Sequence, residues 1–237
     1  MKLGIIGAMD VEVATLKEKM QNKTEKIIAD SVYCEGILEN LPVVVVQCGV
    51  GKVNAALCVQ ALCDCFHVTH IVNTGVAGSL DAKLDIGDFV ISRNAIYHDF
   101  DCHILNPNYT VGQVPGLPVK AFPADETMIQ LAYSTADRLW PGHAHIGTVA
   151  SGDQFVCQKD HKNAIVENTQ AMCTEMEGAA IAHGAWKNHV PFVILRAISD
   201  KADDSAELDY PTFEAIAAAR CAEVTQSLAK ALSISNI

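Results

Sequence analysis

Two glutamates, Glu175 and Glu177, stand where a segment of small and apolar residues begins in "TEMEGAAIAHG" (174–184). The segment has the composition of a buried helix. One interpretation is a capping box, in which Thr174 and Glu177 each bind the other's backbone N–H; acids are also favoured in a first helical turn. The other interpretation is that a carboxylate here binds a substrate. Taken alone, the segment favours the capping box.

A further acid, Asp200, follows the apolar residues of "RAISDKADD" (196–204), a segment that also contains Arg196. Arginine rarely occurs in such a segment for packing alone and usually needs a buried anionic partner. Glu177 is a natural candidate for that partner. Asp200 itself could act on a substrate or cap a turn, and these residues leave both possibilities open.

An aromatic residue, Phe155, follows the turn in "SGDQFV" (151–156). It could simply pack against the protein. It could also stack on a planar ring, with the neighbouring backbone groups free to form hydrogen bonds to the edge of that ring. The segment by itself does not separate these two interpretations.

Two clusters contain side chains that ligate metals. "CDCFH" (63–67) closes a helical pattern and lacks a second cysteine pair at zinc spacing. Asp99, Asp101 and His103 would share one face of a strand, which is compatible with a divalent metal. No distant partner motif accompanies them, and polar loops at strand ends are common. We therefore expect no metal.

Two glycine-containing turns, "GIIG" (4–7) and "GVGKV" (49–53), resemble phosphate-binding loops. The first lacks the close glycine pair of a dinucleotide fingerprint, and the second lacks the spacer and the hydroxyl residue of a P-loop. Both are typical of tight strand-to-helix turns in which glycine lets the backbone approach a ligand. We expect no nucleoside triphosphate, dinucleotide or other cofactor.

The elements that must position these residues alternate along the chain. Several apolar segments are rich in Val and Ile without polar alternation, as in strands covered on both faces. The pattern predicts strands at 2–8, 41–49, 69–78, 87–97, 145–151 and 191–199, and helices near 10–21, 52–66, 125–138, 159–168, 176–189 and 211–233.

This alternation predicts an α/β fold with a central mixed, mostly parallel sheet. Three short β-like pieces within 25–50 indicate an antiparallel part, and the absence of a linker or repeat predicts one domain over 1–237. Ligands of such folds bind beyond the carboxyl ends of the strands. Most of the segments after the predicted strands carry acids without an obvious local partner, which suggests a site at that edge.

The composition excludes some classes of partner. The net charge is −11 and the chain has four arginines, so it lacks the clustered cations that nucleic-acid binding requires. The apolar stretch at the N-terminus is too short for a signal sequence or a membrane span. Nine cysteines, an odd number, lie mostly in apolar segments and are expected to be reduced thiols. We expect a cytoplasmic protein that binds neither nucleic acid nor membrane.

Six motifs together resemble one family. "GIIGAMDVEV", "CGVGKVNAA", "NTGVAGSL", "SGDQFV", "TEMEGAAIAH" and "RAISDKAD" occur in an order and spacing similar to those of the 5′-methylthioadenosine/S-adenosylhomocysteine nucleosidases of the nucleoside phosphorylase superfamily. The resemblance covers essentially the whole chain. It implies a three-layer fold and the hydrolysis of an adenine–ribose bond. This reaction passes through an oxocarbenium-like state.

The resemblance also implies catalytic roles. Asp200 would protonate nitrogen-7 of the departing adenine, for which it needs a raised pKa. Glu12 would activate the attacking water, Glu177 would bind the ribose hydroxyls, and Arg196 would orient Glu177 or the water. Glu175 would keep only the task of a first-turn acid.

The expected binding residues follow from the same resemblance. Met176 would pack on the ribose, Phe155 and the Val156 backbone would hold adenine, and Ser199 would fix Asp200. The pocket for the 5′ substituent would be lined by Met9, Val50 and Tyr210; Val76, Ala77 and Gly78 complete the expected substrate-binding set. The family further implies a homodimer in which the partner's 102–116 loop closes the 5′ pocket, with Tyr109 and Pro115 as the best candidates.

Two alternatives remain. A phosphorylase of the same superfamily would use phosphate and would want an arginine and a serine in the turn that matches "NTGVAG", where this chain has Asn73 and Val76. Val76 also replaces a serine seen in some nucleosidases. A non-catalytic nucleoside-binding protein would keep Phe155 but would not need both Glu12 and Asp200. The sequence leaves the preferred 5′ substituent open.

Overall fold

The computed structural model describes residues 1–203 and 205–235, apart from the side chain of Leu208. Within this part of the chain, strands and helices alternate as the sequence predicts. The strands are β1 (Leu3–Gly7), β2 (Gln21–Ile28), β3 (Ser31–Leu38), β4 (Leu41–Gln47), β5 (His70–Ser79), β6 (Phe89–Tyr97), β7 (Phe122–Pro123), β8 (Ala144–Ser151), β9 (Cys173–Glu175) and β10 (Phe192–Asp200). The helices are α1 (Asp10–Lys19), α2 (Lys52–Phe66), α3 (Glu126–Leu139), α4 (Lys159–Thr169), α5 (Gly178–Lys187) and α6 (Ala206–Ile234).

All of these strands join one mixed sheet. Its order is β10-β6-β8-β9-β5-β1-β4-β3-β2, with β7 paired to β6. An additional pairing of β10 with β5 closes five strands into a ring. The two longest registers, β5–β10 and β6–β8, are parallel, whereas β2, β3 and β4 form the antiparallel part expected within 25–50. The predicted α/β fold class is confirmed.

Helices cover the sheet on both faces, which explains why the central strands lack polar alternation. Every residue of β1 and β10 is buried. On one face, α1, α3 and α6 contribute Leu16, Ile129 and Leu228 to one apolar cluster. On the other face, α2 and α5 contribute residues such as Leu62 and Ile181 to a second cluster. In the described part of the chain, no helix is both long and apolar enough to cross a membrane.

Several boundaries differ from the prediction. Helix α6 begins at Ala206, before the predicted 211, and Pro211 lies within its second turn. The proline lacks an N–H and so removes one helical hydrogen bond, but the helix continues through it. Helix α5 begins at Gly178, so Glu177 precedes it. Strands β7 and β9 have only two and three residues, too few to produce a sequence pattern.

Candidate active site

A cavity of about 570 Å³, including its open mouth, lies at the carboxyl ends of the central strands. This size is typical of small-molecule sites. It is lined by Ala8, Met9, Glu12, Val50, Val76, Ala77, Gly78, Gln154, Phe155, Val156, Thr174, Glu175, Met176, Glu177, Arg196, Ser199, Asp200 and Tyr210. The cavity lining thus includes all the residues that the sequence predicts to be catalytic or substrate-binding, except Tyr109 and Pro115.

Glu12 lies buried in the first turn of α1. Its Oε2 accepts hydrogen bonds from the backbone N–H groups of Ala8 and Met9, at 2.7 and 3.0 Å, and its Oε1 accepts one from Val76, at 3.0 Å. Burial raises the pKa of Glu12, while Arg196 and the three N–H groups oppose that rise. The strand-to-helix turn therefore holds a carboxylate of increased basicity at the floor of the cavity.

Arg196 is the central cation of the site and is fully buried in β10. Its Nη2 donates to the Glu175 carboxylate and, at 2.5 Å, to Asn73 Oδ1. Glu177 Oε2 and Glu12 Oε1 lie farther away, at 3.8 and 4.0 Å from the guanidinium. Burial acts to lower the pKa of Arg196, but the surrounding carboxylates, Glu175 foremost, raise it above its usual value. The expected partner, Glu177, is thus the second-nearest carboxylate.

Glu175 has a different place from the one expected. It ends β9 and accepts hydrogen bonds from Ser151 Oγ, from the Glu177 N–H at 3.1 Å, and from the Gly178 N–H at 2.8 Å. The prediction of an ordinary first-turn acid is wrong: Glu175 precedes α5, caps its N-terminus and balances Arg196. The sequence gives one indication of this role: Glu175 is a second acid close to Glu177, and Arg196 is expected to need a buried anionic partner.

Glu177 is the N-cap residue of α5, but its carboxylate does not cap the helix. Its Oε1 instead accepts a hydrogen bond from the Gly51 N–H, at 2.8 Å, across 126 residues of sequence. Thr174 Oγ1 is buried without a hydrogen-bond partner among the described residues. The capping box is therefore wrong. Burial, reinforced by the charge of Glu175, raises the pKa of Glu177 to about 7.

Asp200 lies at the end of β10, next to a β-bulge. The pairing with β5 passes from Ile198–Ala77 to Asp200–Gly78, so Ser199 is the extra residue. Such a bulge interrupts the alternation of side chains and can re-aim one of them. Asp200 Oδ2 accepts from Ser199 Oγ at 2.9 Å and its Oδ1 from the Ala202 N–H at 2.8 Å. Burial raises the pKa of Asp200 despite these two bonds.

Glycine is required where β5 passes between the charged groups. Gly75 pairs with Arg196 in the sheet, and a Cβ at Gly75 would lie 2.3 Å from both Arg196 Nη1 and Glu12 Oε1. A Cβ at Gly78 would lie 2.7 Å from Asp200 Oδ1. Both distances are well below van der Waals contact, so the absence of side chains makes room for the buried charges.

The mouth of the cavity is apolar and aromatic. Phe155 and Tyr210 meet edge to face with ring centroids 5.4 Å apart, and Tyr210 Oη lies 3.5 Å from Met9 Sδ. Phe155 and Val50 are each 48% exposed, as residues at an opening are. The site therefore combines a charged floor with walls suited to a flat, partly apolar molecule.

Two expected features lie elsewhere. Tyr109 and Pro115 are half-buried in the loop after β6 and are not among the described residues that line the cavity. Strand β6 ends at Tyr97, so Asp99, Asp101 and His103 do not share a strand face as expected. In the described chain, no group of three or more His, Cys, Asp or Glu side chains could hold a metal ion. Sequence reasoning missed Ala8, Gln154, Thr174 and Glu175 as lining residues.

The charges of the cavity are strongly unbalanced. Glu12, Glu175, Glu177 and Asp200 line it, and Arg196 is the only cationic residue among its described lining. The guanidinium is already surrounded by three of these carboxylates. Such a cavity favours a neutral ligand that becomes cationic during reaction and disfavours an anion.

Known proteins match this chain along nearly its whole length. The family described as the phosphorylase superfamily matches residues 2–232. The 5′-methylthioadenosine/S-adenosylhomocysteine nucleosidase of Staphylococcus haemolyticus is 37% identical over 231 residues, 97% of this chain and the full length of that protein.

Two solved structures are similar along nearly their whole length. The nucleosidase of the same name from S. pneumoniae, in a structure with the transition-state inhibitor MT-ImmA, has a TM-score of 0.92 and 35% identity, covering 98% of this chain and 100% of the other. The enzyme from Colwellia psychrerythraea, in complex with adenine, has a TM-score of 0.91 and 36% identity, covering 97% and 94%. This chain belongs to the phosphorylase superfamily and, within it, to the 5′-methylthioadenosine/S-adenosylhomocysteine nucleosidases.

Proposed function

We propose that the protein hydrolyses the N-glycosidic bond of 5′-methylthioadenosine and S-adenosylhomocysteine, releasing adenine and the corresponding ribose product. The observation that carries the proposal is the convergence of three buried carboxylates, Glu12, Glu177 and Asp200, on one cavity around a single arginine. Each carboxylate has a distinct set of hydrogen-bond partners, so each can take a separate part in the reaction.

Asp200 is the general acid in this proposal. The bond between the anomeric carbon and adenine breaks with its electron pair moving to the base, so a proton must reach the ring, at nitrogen-7. Asp200 can hold that proton near neutral pH because burial raises its pKa. Ser199 keeps the carboxyl in place. Phe155 and Val156 form the side of the cavity that receives the adenine ring.

Glu12 and Glu177 act on the sugar. Glu12 takes a proton from the attacking water, whose oxygen bonds to the anomeric carbon on the face opposite adenine. Glu177 binds the ribose hydroxyls, and Met176 packs on the ring. The transition state has oxocarbenium character, so carboxylates around the sugar stabilise it more than the neutral substrate. Arg196 fixes Glu175 and Glu177 by charge.

The charge of the cavity favours water over phosphate as the nucleophile. A phosphorylase needs cations and hydroxyl donors for a dianion. Here Glu12 occupies the floor, and the one cationic side chain of the described lining is taken up by carboxylates. A non-catalytic nucleoside-binding protein would not need three acids whose pKa values burial raises.

Met9, Val50 and Tyr210, which line the apolar mouth next to Phe155, would receive the 5′ substituent. The character of this mouth suits a methylthio group and extends the proposed substrates to 5′-deoxyadenosine. Comparing catalytic efficiencies for methylthioadenosine, S-adenosylhomocysteine, 5′-deoxyadenosine and 6-amino-6-deoxyfutalosine would rank them.

The wider setting is part of the same proposal. The chain would act as a cytoplasmic homodimer in methionine salvage, with the partner's 102–116 loop completing the 5′ pocket through Tyr109 and Pro115. Ile104 and Leu105 in this loop are 87% and 76% exposed, an apolar surface that a second copy would cover. The nine thiols are free, as in a reducing compartment. Sedimentation of the chain and of a Leu105→Asp variant tests the dimer.

Adenine release in phosphate-free buffer tests the proposed reaction. We expect full turnover of methylthioadenosine without phosphate, and free 5-methylthioribose rather than its 1-phosphate as the second product. Turnover that appears only on adding phosphate would identify a phosphorylase. Adenine binding without any turnover would identify a binding protein.

A further inference from the structure

Three charged residues next to the cavity, Lys52, Asp99 and Asp153, form a connected group that we name the clasp. Lys52 Nζ lies 2.5 Å from Asp99 Oδ2, and the Asp153 N–H donates to the same oxygen at 2.9 Å. Asp153 Oδ1 in turn accepts from the Lys52 N–H at 2.8 Å. The clasp thus joins three separate loops, which follow β4, β6 and β8.

The clasp supplies a hydrogen-bond acceptor for the first turn of α2, which has no capping side chain of its own. Its N-cap is Gly51, which has φ +97°, and its first turn has no acid. The first N–H groups of a helix need acceptors from outside the helix. Here the acceptor for Lys52 comes from Asp153, 101 residues away. A Cβ at Gly51 would lie 3.1 Å from Asp153 Oδ1, so glycine also permits this close approach.

Asp99 is the shared acceptor and the least exposed acid of the group. Its side chain is 17% exposed, against 50% for Asp153. Burial acts to raise the pKa of Asp99, but the Lys52 ammonium and the Asp153 N–H outweigh it and leave that pKa below its usual value. The carboxylate is therefore charged at neutral pH and is bonded to two of the three loops at once.

These loops carry two sides of the proposed substrate site. Gly51, just before Lys52, donates its N–H to Glu177, the proposed ribose ligand. Phe155 and Val156 follow Asp153 by two and three residues and line the adenine side of the cavity. We name the loop after β8 (152–158), which carries Asp153, Phe155 and Val156, the adenine loop. The hydrogen bonds of the consecutive Gly51 and Lys52 N–H groups thus connect the Glu177 carboxylate to this loop.

We propose that Lys52, Asp99 and Asp153 are positioning residues that hold the adenine loop and the Gly51–Glu177 contact in the binding geometry before substrate arrives. This inference rests on the proposed function, because it assigns adenine and ribose to those two sides. Ordering a loop in advance removes an entropic cost from binding. The hydrogen bonds of the clasp join its members to one another and not to Glu12 or Asp200, the proposed base and acid, so its loss affects adenine affinity more than the two proton transfers.

The experiment compares Asp99→Asn and Lys52→Met with the parent chain. Adenine affinity is measured by calorimetry, and kcat and KM are measured for methylthioadenosine. We expect the adenine Kd and the KM to rise about tenfold in each variant, as for loss of one charge-assisted bond, with kcat within about threefold of the parent. Lys52→Arg keeps the charge and should restore most of the affinity.

A double variant and a matched control distinguish a positioning role of the clasp from a purely stabilising one. Lys52→Met combined with Asp99→Asn should bind adenine no more weakly than either single variant, because they break one unit. Glu35→Gln breaks a remote ion pair of the same length, Lys2–Glu35 at 2.5 Å, and should leave Kd and KM unchanged. A lower melting temperature with unchanged Kd and KM would overturn the inference, as would fully additive losses.

The two proposals fail separately. Adenine titration reports on the clasp whether or not the chain hydrolyses anything. A parent chain that binds adenine but releases none from methylthioadenosine refutes the reaction and leaves the clasp to be decided by calorimetry. An active parent whose Asp99→Asn and Lys52→Met variants bind adenine within about twofold refutes the clasp alone.

Discussion

Arg196 donates to the carboxylate of Glu175, whereas the carboxylate of Glu177 lies 3.8 Å from the same nitrogen. The two glutamates are two residues apart, yet their carboxylates have different partners and different roles. Glu175 ends a strand and accepts hydrogen bonds from four donors: a guanidinium, a hydroxyl and two backbone N–H groups. Glu177 has the Gly51 N–H and remains available to a ligand. Substitutions at these two positions should therefore have opposite effects on stability.

Glu175→Gln should lower the free energy of unfolding by about 3 kcal/mol, because the buried Arg196 loses its nearest carboxylate and keeps only Glu177 and Glu12, at 3.8 and 4.0 Å. Arg196 is fully buried, so water cannot replace the carboxylate. Chemical denaturation at pH 7 measures the change. The exposed-pair variant Glu35→Gln is the control and should cost less than about 1 kcal/mol. Equal losses in the two variants would contradict the role assigned to Glu175.

Glu177→Gln should fold, lose most activity and become more stable than the parent at high pH. The folded pKa of Glu177 is about 7, above its ordinary 4.5. Between those values the unfolded chain has released a proton that the folded chain still holds, so the free energy of unfolding falls as pH rises. Glutamine removes this loss, which is about 3 kcal/mol at pH 8 for a pKa raised from 4.5 to about 7.

Denaturation of the parent and Glu177→Gln at pH 4 and pH 8 checks this sign. The two proteins should be similar in stability at pH 4, where Glu177 is protonated in both states. A variant that is less stable than the parent at pH 8 and retains its rate would assign Glu177 a structural role, through its bond to the Gly51 N–H, and not a catalytic one.

Asp200→Asn should bind adenine within about threefold of the parent and lose about 10³-fold in kcat, a typical cost of removing a general acid. The asparagine amide can still donate a hydrogen bond to nitrogen-7 but cannot transfer a proton. Calorimetry with adenine and a single-turnover assay measure the two effects. Asp203→Asn, at a nearby acid held by Ser205, is the control and should keep normal turnover. Near-normal turnover in Asp200→Asn would remove this residue from the acid's role.

Gly75→Ala should lose both activity and stability. Its added methyl would lie 2.3 Å from Arg196 Nη1 and Glu12 Oε1, so the buried charges must move apart. Overpacking of this kind costs about 1–3 kcal/mol. Gly142→Ala is a matched control, because a Cβ there meets nothing within 4 Å and the variant bears only the strain of φ +81°. A Gly75→Ala enzyme with normal turnover would show that this strand is not constrained by the charge cluster.

The sequence predicted the fold class well because the relevant signals are local. Uninterrupted Val and Ile segments predict strands covered on both faces, and the strands β1, β4, β5 and β10 lie where those segments are. The acids that follow the strands were identified for the same reason: a side chain at a strand's carboxyl end lies at the edge where ligands bind. The predicted helix boundaries are less accurate. The start of α6, for example, is predicted at Pro211, but a helix can tolerate the loss of the one hydrogen bond that a proline removes.

The sequence by itself therefore determined the α/β fold and which residues could form a site. Only the tertiary structure decided which carboxylate pairs with Arg196, that Glu177 is held by Gly51 across 126 residues, and that Asp153 completes the first turn of α2. Local spacing cannot specify these pairings, because they depend on the order in which distant strands join the sheet. The pairing of β5 with β10 places Gly75 beside Arg196, and the missing side chain leaves room for the buried charges. Each of these charges must then have a partner, because an unpaired buried charge is costly.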